Sequence, residues 1–238
     1  MIKAANNLHF EKMFHLYNRQ LISKNFHGLY QSKNSVPPPQ RGAIILVNHS
    51  SWWDPLMLFY LNHTLWHTDA VAMMDEAGLQ RFPFFNKLGA FSVNSRSPRS
   101  VKYALDYASS QLREGKNVFL FPQGNEYPLE KRPLSFFGGA GYLKWRVPAA
   151  PLIPVVFYHG LFHKQRPEWF VHSASPIKGA PSWNRKRWTD EAEKMLTIEL
   201  EMLKRTVLND SSFIPLLYGK KGFAQRWENT KRFLGVIE

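Results

Sequence analysis

The chain has 238 residues, no cysteine and a net charge of +13, with 44% hydrophobic and 15% aromatic residues. That length suits one large domain able to bury a core without staples. The missing thiols exclude a disulfide framework, a zinc–thiolate site and a cysteine nucleophile. A basic, aromatic-rich chain points to an anionic partner: nucleic acid, a membrane surface or an acidic substrate.

Residues 8–22 carry Phe10, Met13, Phe14, Tyr17 and Leu21 at helical spacing, with Lys12, Asn18 and Arg19 between them. This predicts an amphipathic helix, packed on the body or lying in a bilayer interface. Pro37, Pro38 and Pro39 break the chain. Residues 1–36 are therefore read as an N-terminal amphipathic helical segment and 37–238 as the main domain.

Strands are predicted over 43–47, 70–74, 117–121, 152–158 and 169–173. Helices are predicted over 54–62, 98–113 (Ser97 capping, Pro98 in the first turn, Gly115 stopping it) and 139–145. A last helix over 190–207 would put Asp190, Glu191 and Glu193 at its start and Lys204 and Arg205 at its end, matching the helix dipole. The alternation predicts an α/β fold: a mainly parallel mixed sheet flanked by helices, preceded by the N-terminal amphipathic helix.

No stretch of about 18 uncharged apolar residues occurs, so no transmembrane helix is expected. The N-terminus lacks the apolar core and cleavage site of a signal peptide. The expectation is a cytoplasmic protein, free or peripheral on the inner face of a membrane.

Sites in open α/β sheets collect in loops at the carboxyl ends of strands. Two such loops carry chemistry. The first reads Asn48-His49-Ser50-Ser51-Trp52-Trp53-Asp54-Pro55. Asp54 can hold one ring nitrogen of His49 and leave the other to accept a proton. Its competing role is that of a helix N-cap before proline. The second loop reads Phe121-Pro122-Gln123-Gly124-Asn125-Glu126, a sharp turn whose backbone N–H groups can face an anion or oxyanion. If their strands are neighbours, both loops face one crevice.

Together these loops resemble the glycerolipid acyltransferase family, typified by 1-acylglycerol-3-phosphate acyltransferases. Asn48-His49 and Asp54 match its first motif, Asn-His-x-x-x-x-Asp. Gly89 to Arg96 echoes the second, Phe121 to Glu126 the third (Phe-Pro-Glu-Gly-Thr-Arg), and Ala150 to Val155 the fourth. Gly138-Gly139-Ala140-Gly141 resembles a glycine-rich run between the last two. The resemblance covers residues 44–158 and implies a membrane-surface acyltransferase domain over 37–238. It would move a fatty acyl group from acyl-CoA or acyl carrier protein to a lipid hydroxyl, with His49 as base and Asp54 as its orienter. The implied partners are that donor, a membrane lipid acceptor and an anionic membrane surface. No further cofactor is implied.

The family's Glu is Gln123 here, and its Thr-Arg is Asn125-Glu126. Losing that Arg removes a fork suited to phosphate, and a facing Glu126 would repel one. A phosphate-free, sugar-linked or other neutral lipid alcohol is therefore the expected acceptor. The alternatives are lysophosphatidic acid in phospholipid synthesis, or a non-catalytic lipid-binding role. The expected substrate-binding residues are Arg96, Gln123, Gly124, Asn125 and Arg132, with oxyanion donors near Gly124; Arg99 and Lys131 are further cations able to reach a phosphate.

The His63/His67 and His159/His163 pairs lack a third ligand nearby in sequence, so no metal site is expected. Lys178, Arg185, Lys186 and Arg187 with Trp183 and Trp188 form a basic aromatic patch suited to anionic headgroups or an acidic carrier. Lys220, Lys221, Arg226, Lys231 and Arg232 with Phe223 and Trp227 form a second. No nucleic-acid-binding motif is recognisable, so no nucleic acid partner is expected.

Overall fold

The computed structural model describes residues 1–209, 213–220, 222, 227, 231 and 232. In chain order they form α1 (Leu8–Asn25), β1 (Gly28–Ser32), β2 (Ile44–Val47), α2 (Asp54–Leu61), β3 (Ala70–Asp75), α3 (Glu76–Arg81), α4 (Phe84–Lys87) and β4 (Ala90–Val93). Then come α5 (Pro98–Arg113), β5 (Asn117–Leu120), α6 (Gly139–Arg146), β6 (Leu152–Gly160), β7 (Glu168–Ser173), α7 (Arg185–Leu208) and β8 (Phe213–Tyr218). The strands form one sheet in the order β4-β3-β5-β2-β6-β7-β1-β8. Only β6–β7 and β1–β8 pair antiparallel, so the sheet is mixed and mainly parallel, as expected.

The centre is buried on both faces, which is why β2 is an unbroken apolar run. Ile44 and Leu46 point into a core shared with α5, α6 and α7. Ile45 and Val47 point the other way, into a core with Ile22 of α1 and Met57 and Leu61 of α2. Strand alternation thus divides one four-residue run between two layers.

Each predicted helix and strand forms, with shifted ends. Ser97 caps α5 through Ser100 N–H, and Gly115 follows the helix at φ 90°. The last helix differs most. It begins at Arg185, capped by Asn184, so its first turn is basic rather than acidic. The cap and the burial of Trp188 and Thr189 against the body outweigh the unfavourable dipole, which is worth only about 0.3–1 kcal/mol per charge.

Residues 28–32, which the proline break placed in the N-terminal segment, form β1 inside the sheet, between β7 and β8. Its short sequence pairs only because those strands, far away in the chain, bury Leu29 completely. The helix before it turns Phe14, Asn18 and Ile22 inward and leaves Met13, Leu16 and Tyr17 exposed. Lys221, Phe223 and Arg226 of the second basic patch lie outside the described residues. Among the described residues, no helix is long and apolar enough to cross a membrane.

Candidate active site

β2 and β5 are parallel neighbours, with Leu46 opposite Leu120. Their carboxyl ends therefore release the His49 and Gln123 loops side by side, at the end of the sheet where α/β sites form.

His49 is held from every side. Its Nδ1 lies 2.8 Å from Asp54 Oδ2. The same oxygen accepts the Ser50 and Ser51 backbone N–H groups at 2.7 and 2.9 Å. An oxygen already accepting two donors makes Nδ1 the third donor, leaving the lone pair on Nε2. Asp54 is fully buried and is the first residue of α2, whose N-cap position is Trp53. Its bonds run back to the preceding loop and not to the amides of its own helix, so it orients the histidine and does not cap α2.

The β5 loop supplies the remaining contacts. Phe121 stacks on the His49 ring with centroids 4.4 Å apart. The Gln123 side-chain oxygen accepts His49 N–H at 2.7 Å, and Tyr127 N–H donates to the His49 carbonyl at 3.1 Å. Gly124 turns the loop at φ 73°, and a Cβ there would come within 2.6 Å of Phe137. Asn48 anchors the histidine loop to β6, exchanging two hydrogen bonds with the Phe157 backbone. Ser50 Oγ lies 3.1 Å from Nε2 of His159, whose ring stacks on Trp169. Burial pushes the His159 pKa down, so it serves as a neutral support.

His49 lines a cavity of about 1340 Å³, above the roughly 300–1,000 Å³ of an ordinary small-molecule pocket. Leu58, Phe59, Val71, Met73, Phe85, Leu105 and Phe119 give it apolar walls. Gly124, Asn125 and Glu126 line it too, with a Glu126 carboxylate oxygen 3.9 Å from His49 Nε2. The acid that stands where the family pattern has arginine thus faces the His49 ring.

The other expected binding residues are placed differently. Gln123 is buried behind His49 and positions its backbone. Gly124 N–H donates to the Phe121 carbonyl, so this amide is already engaged and is not an oxyanion donor. Arg132 is taken up by Glu201 and by the carbonyls of Leu129 and Lys131, away from the cavity. Arg96 is exposed just past Ser95, the last residue of its loop to line the cavity. Sequence reasoning put Arg185 in a surface patch, yet it too lines the cavity; no spacing could have linked it to a histidine so far away in the chain. Among the described residues no cluster of three or more metal-ligating side chains occurs.

A 1-acyl-sn-glycerol-3-phosphate acyltransferase of Borreliella burgdorferi is 32% identical to this chain over 91 residues. The match covers 37% of this chain and 34% of that relative's length. The crystal structure of the 1-acyl-sn-glycerophosphate acyltransferase PlsC from Thermotoga maritima superposes with a TM-score of 0.60 at 18% identity, over 82% of this chain and 79% of that one. That likeness establishes a shared fold. The family model described as Acyltransferase matches residues 25–158, more than half the chain. That stretch runs from the end of α1 into β6 and includes Asp54, Phe121 and Gln123, and on that match the chain belongs to the Acyltransferase family.

Proposed function

We propose that this protein transfers a fatty acyl group from an acyl thioester, carried by CoA or acyl carrier protein, to a hydroxyl of a membrane lipid. The observation that carries this reading is His49, tied through Nδ1 to buried Asp54, presenting Nε2 to a large apolar cavity.

A hydroxyl is a poor nucleophile until its proton is removed. Nε2 takes that proton as the oxygen attacks the thioester carbonyl, and Asp54 stabilises the imidazolium that forms. The tetrahedral intermediate collapses, the C–S bond breaks, and the leaving thiolate recovers the proton from Nε2. Ester and free thiol are the products, and the imidazole is neutral again. The apolar walls suit the acyl chain and exclude water that would hydrolyse the thioester.

The favoured acceptor is a lipid alcohol without phosphate. The Glu126 carboxylate lies 3.9 Å from Nε2 and repels an anion placed beside the base. The protein works as a peripheral protein on the inner face of a membrane. Exposed Leu8 and Trp52 both line the cavity, so the apolar rim and the apolar face of α1 meet the bilayer where the lipid enters.

The test is thiol release from a long-chain acyl-CoA or acyl carrier protein thioester, with lysophosphatidic acid and matched monoacylglycerol and glycolipid acceptors. Transfer is expected with the neutral acceptors preferred, and Glu126→Arg shifts the preference toward lysophosphatidic acid. No transfer from either donor to any acceptor rejects the activity. A wild-type preference for lysophosphatidic acid rejects the acceptor assignment alone.

A further inference from the structure

Arg185 is the first residue of α7 and stands, exposed, at the edge of the cavity that contains His49. Its guanidinium carbon sits 5.8 Å from the ring centre of Tyr142 and 5.1 Å from that of Trp145. Two aromatic rings hold the planar cation through attraction to their π-faces and leave its N–H fork free to bind an anion. The nearby acids are already engaged: Asp106 by Lys102 and the Tyr142 hydroxyl, Asp190 by Lys186. Among the described residues, Arg185 forms no ion pair with a carboxylate.

Its position is built into the fold. The Arg185 carbonyl accepts Thr189 Oγ1 at 3.0 Å. A Cβ on Gly141 would approach that carbonyl oxygen to 2.1 Å and Thr189 Oγ1 to 2.3 Å. Only glycine at 141 lets α7 begin against α6, so Gly141 sets where Arg185 stands. The other candidate cations are placed elsewhere: Arg132 is bound to Glu201, and Arg96 lies outside the lining. The site therefore has a carboxylate close to the base and an unneutralised guanidinium at its edge. That arrangement suits a substrate whose anionic group is remote from its reacting atoms.

We propose that Arg185 is the phosphate-binding residue of this cavity, holding a phosphate of the acyl donor's phosphopantetheine arm while the reacting atoms lie at His49. This rests on the acyl-transfer reading. Arg185 lies beyond the residues matched by the family model.

The experiment compares wild type, Arg185→Gln and Arg185→Lys on four substrates. The donors are a long-chain acyl-CoA and the matching phosphate-free S-acyl-N-acetylcysteamine. The acceptors are lysophosphatidic acid and monoacylglycerol. Arg185→Gln is expected to raise KM for acyl-CoA by roughly 10- to 100-fold, the size of a lost charge-assisted contact. Its phosphate-free counterpart should be unaffected, kcat should change far less, and Arg185→Lys should restore part of the loss. A response to acyl-CoA upholds the donor phosphate site; a response confined to lysophosphatidic acid overturns it. Unchanged KM values, or equal losses on phosphate-free substrates, overturn the proposal. Calorimetric binding of CoA and lysophosphatidic acid to the same proteins makes the test independent of turnover. If wild type transfers nothing, the acyl-transfer reading fails, yet CoA binding weakened by Arg185→Gln still upholds the phosphate site. CoA binding that is absent in wild type or untouched by the substitution rejects it.

Discussion

The side-chain oxygen of Gln123 accepts the backbone N–H of His49 at 2.7 Å, tying the loop after β5 to the loop after β2 behind the histidine ring. A carboxylate oxygen at the same position accepts the same N–H, so Gln123→Glu, which restores the residue of the family pattern, should keep kcat close to wild type. Gln123→Leu leaves a buried donor unsatisfied, at a cost of about 1–3 kcal/mol, and frees the His49 backbone to shift. Steady-state kinetics with matched thermal denaturation check this. Wild-type kcat in the leucine variant would show that the bond does not position the base.

His49→Ala should lower turnover by roughly 100- to 10,000-fold, the usual worth of a general base, with an unchanged fold. Asp54→Asn should do nearly as much. An asparagine oxygen in the place of Oδ2 keeps all three hydrogen bonds but carries no charge to stabilise the imidazolium that forms. Near-normal rates in a purified Asp54→Asn protein would reduce Asp54 to a loop tie.

The exposed face of α1 carries Met13, Leu16 and Tyr17, 62%, 66% and 58% accessible, flanked by Lys12 and Arg19. Replacing all three by Gln should weaken sedimentation with anionic vesicles. The melting temperature should hardly change, since exposed substitutions cost within about 0.5 kcal/mol each. Vesicle binding should also fall with added salt, because exposed charges are screened. Undiminished binding by the triple variant would rule out α1 as the docking element.

Burial holds the pKa values of His15, His63, His159 and His172 below the ordinary histidine value of 6.5. As pH falls through about 6.5 the unfolded chain takes up protons that the folded imidazoles refuse, so stability falls toward acid. Glu199, pushed up by burial, acts oppositely, but only as pH approaches its own folded value from above. The melting temperature should drop between pH 7.5 and pH 5.5 by at least about 2–4 °C, the shift that roughly 1 kcal/mol produces at this chain length. A flat or rising melting temperature across that interval would contradict this assignment.

Much of the fold could be read from the chain because local signals agreed. The Ile44–Val47 run, the Ser97-Pro98 start and the Gly115 stop each specify an element through a few neighbouring residues. β1, α3, α4, β4 and β8 could not be read. β1 is five residues long and gains its burial only from strands far along the chain. The start of α7 was misplaced because Asn184 capping and packing at Trp188 outweigh the charge pattern.

At the site, the chain alone paired His49 with Asp54, because the two lie five positions apart and the bond is local. It also marked Gln123 and Glu126 as departures, but not what they face. Only the sheet order decides that, by setting β5 beside β2 so that Gln123 holds the histidine backbone from behind and Glu126 approaches Nε2. Sequence reading assigned Arg132 to substrate binding and Arg185 to a basic surface patch. Tertiary packing sent the first to Glu201 and the second to the cavity, because a long basic side chain goes where its partners are, and those partners lie on elements that no sequence spacing connects.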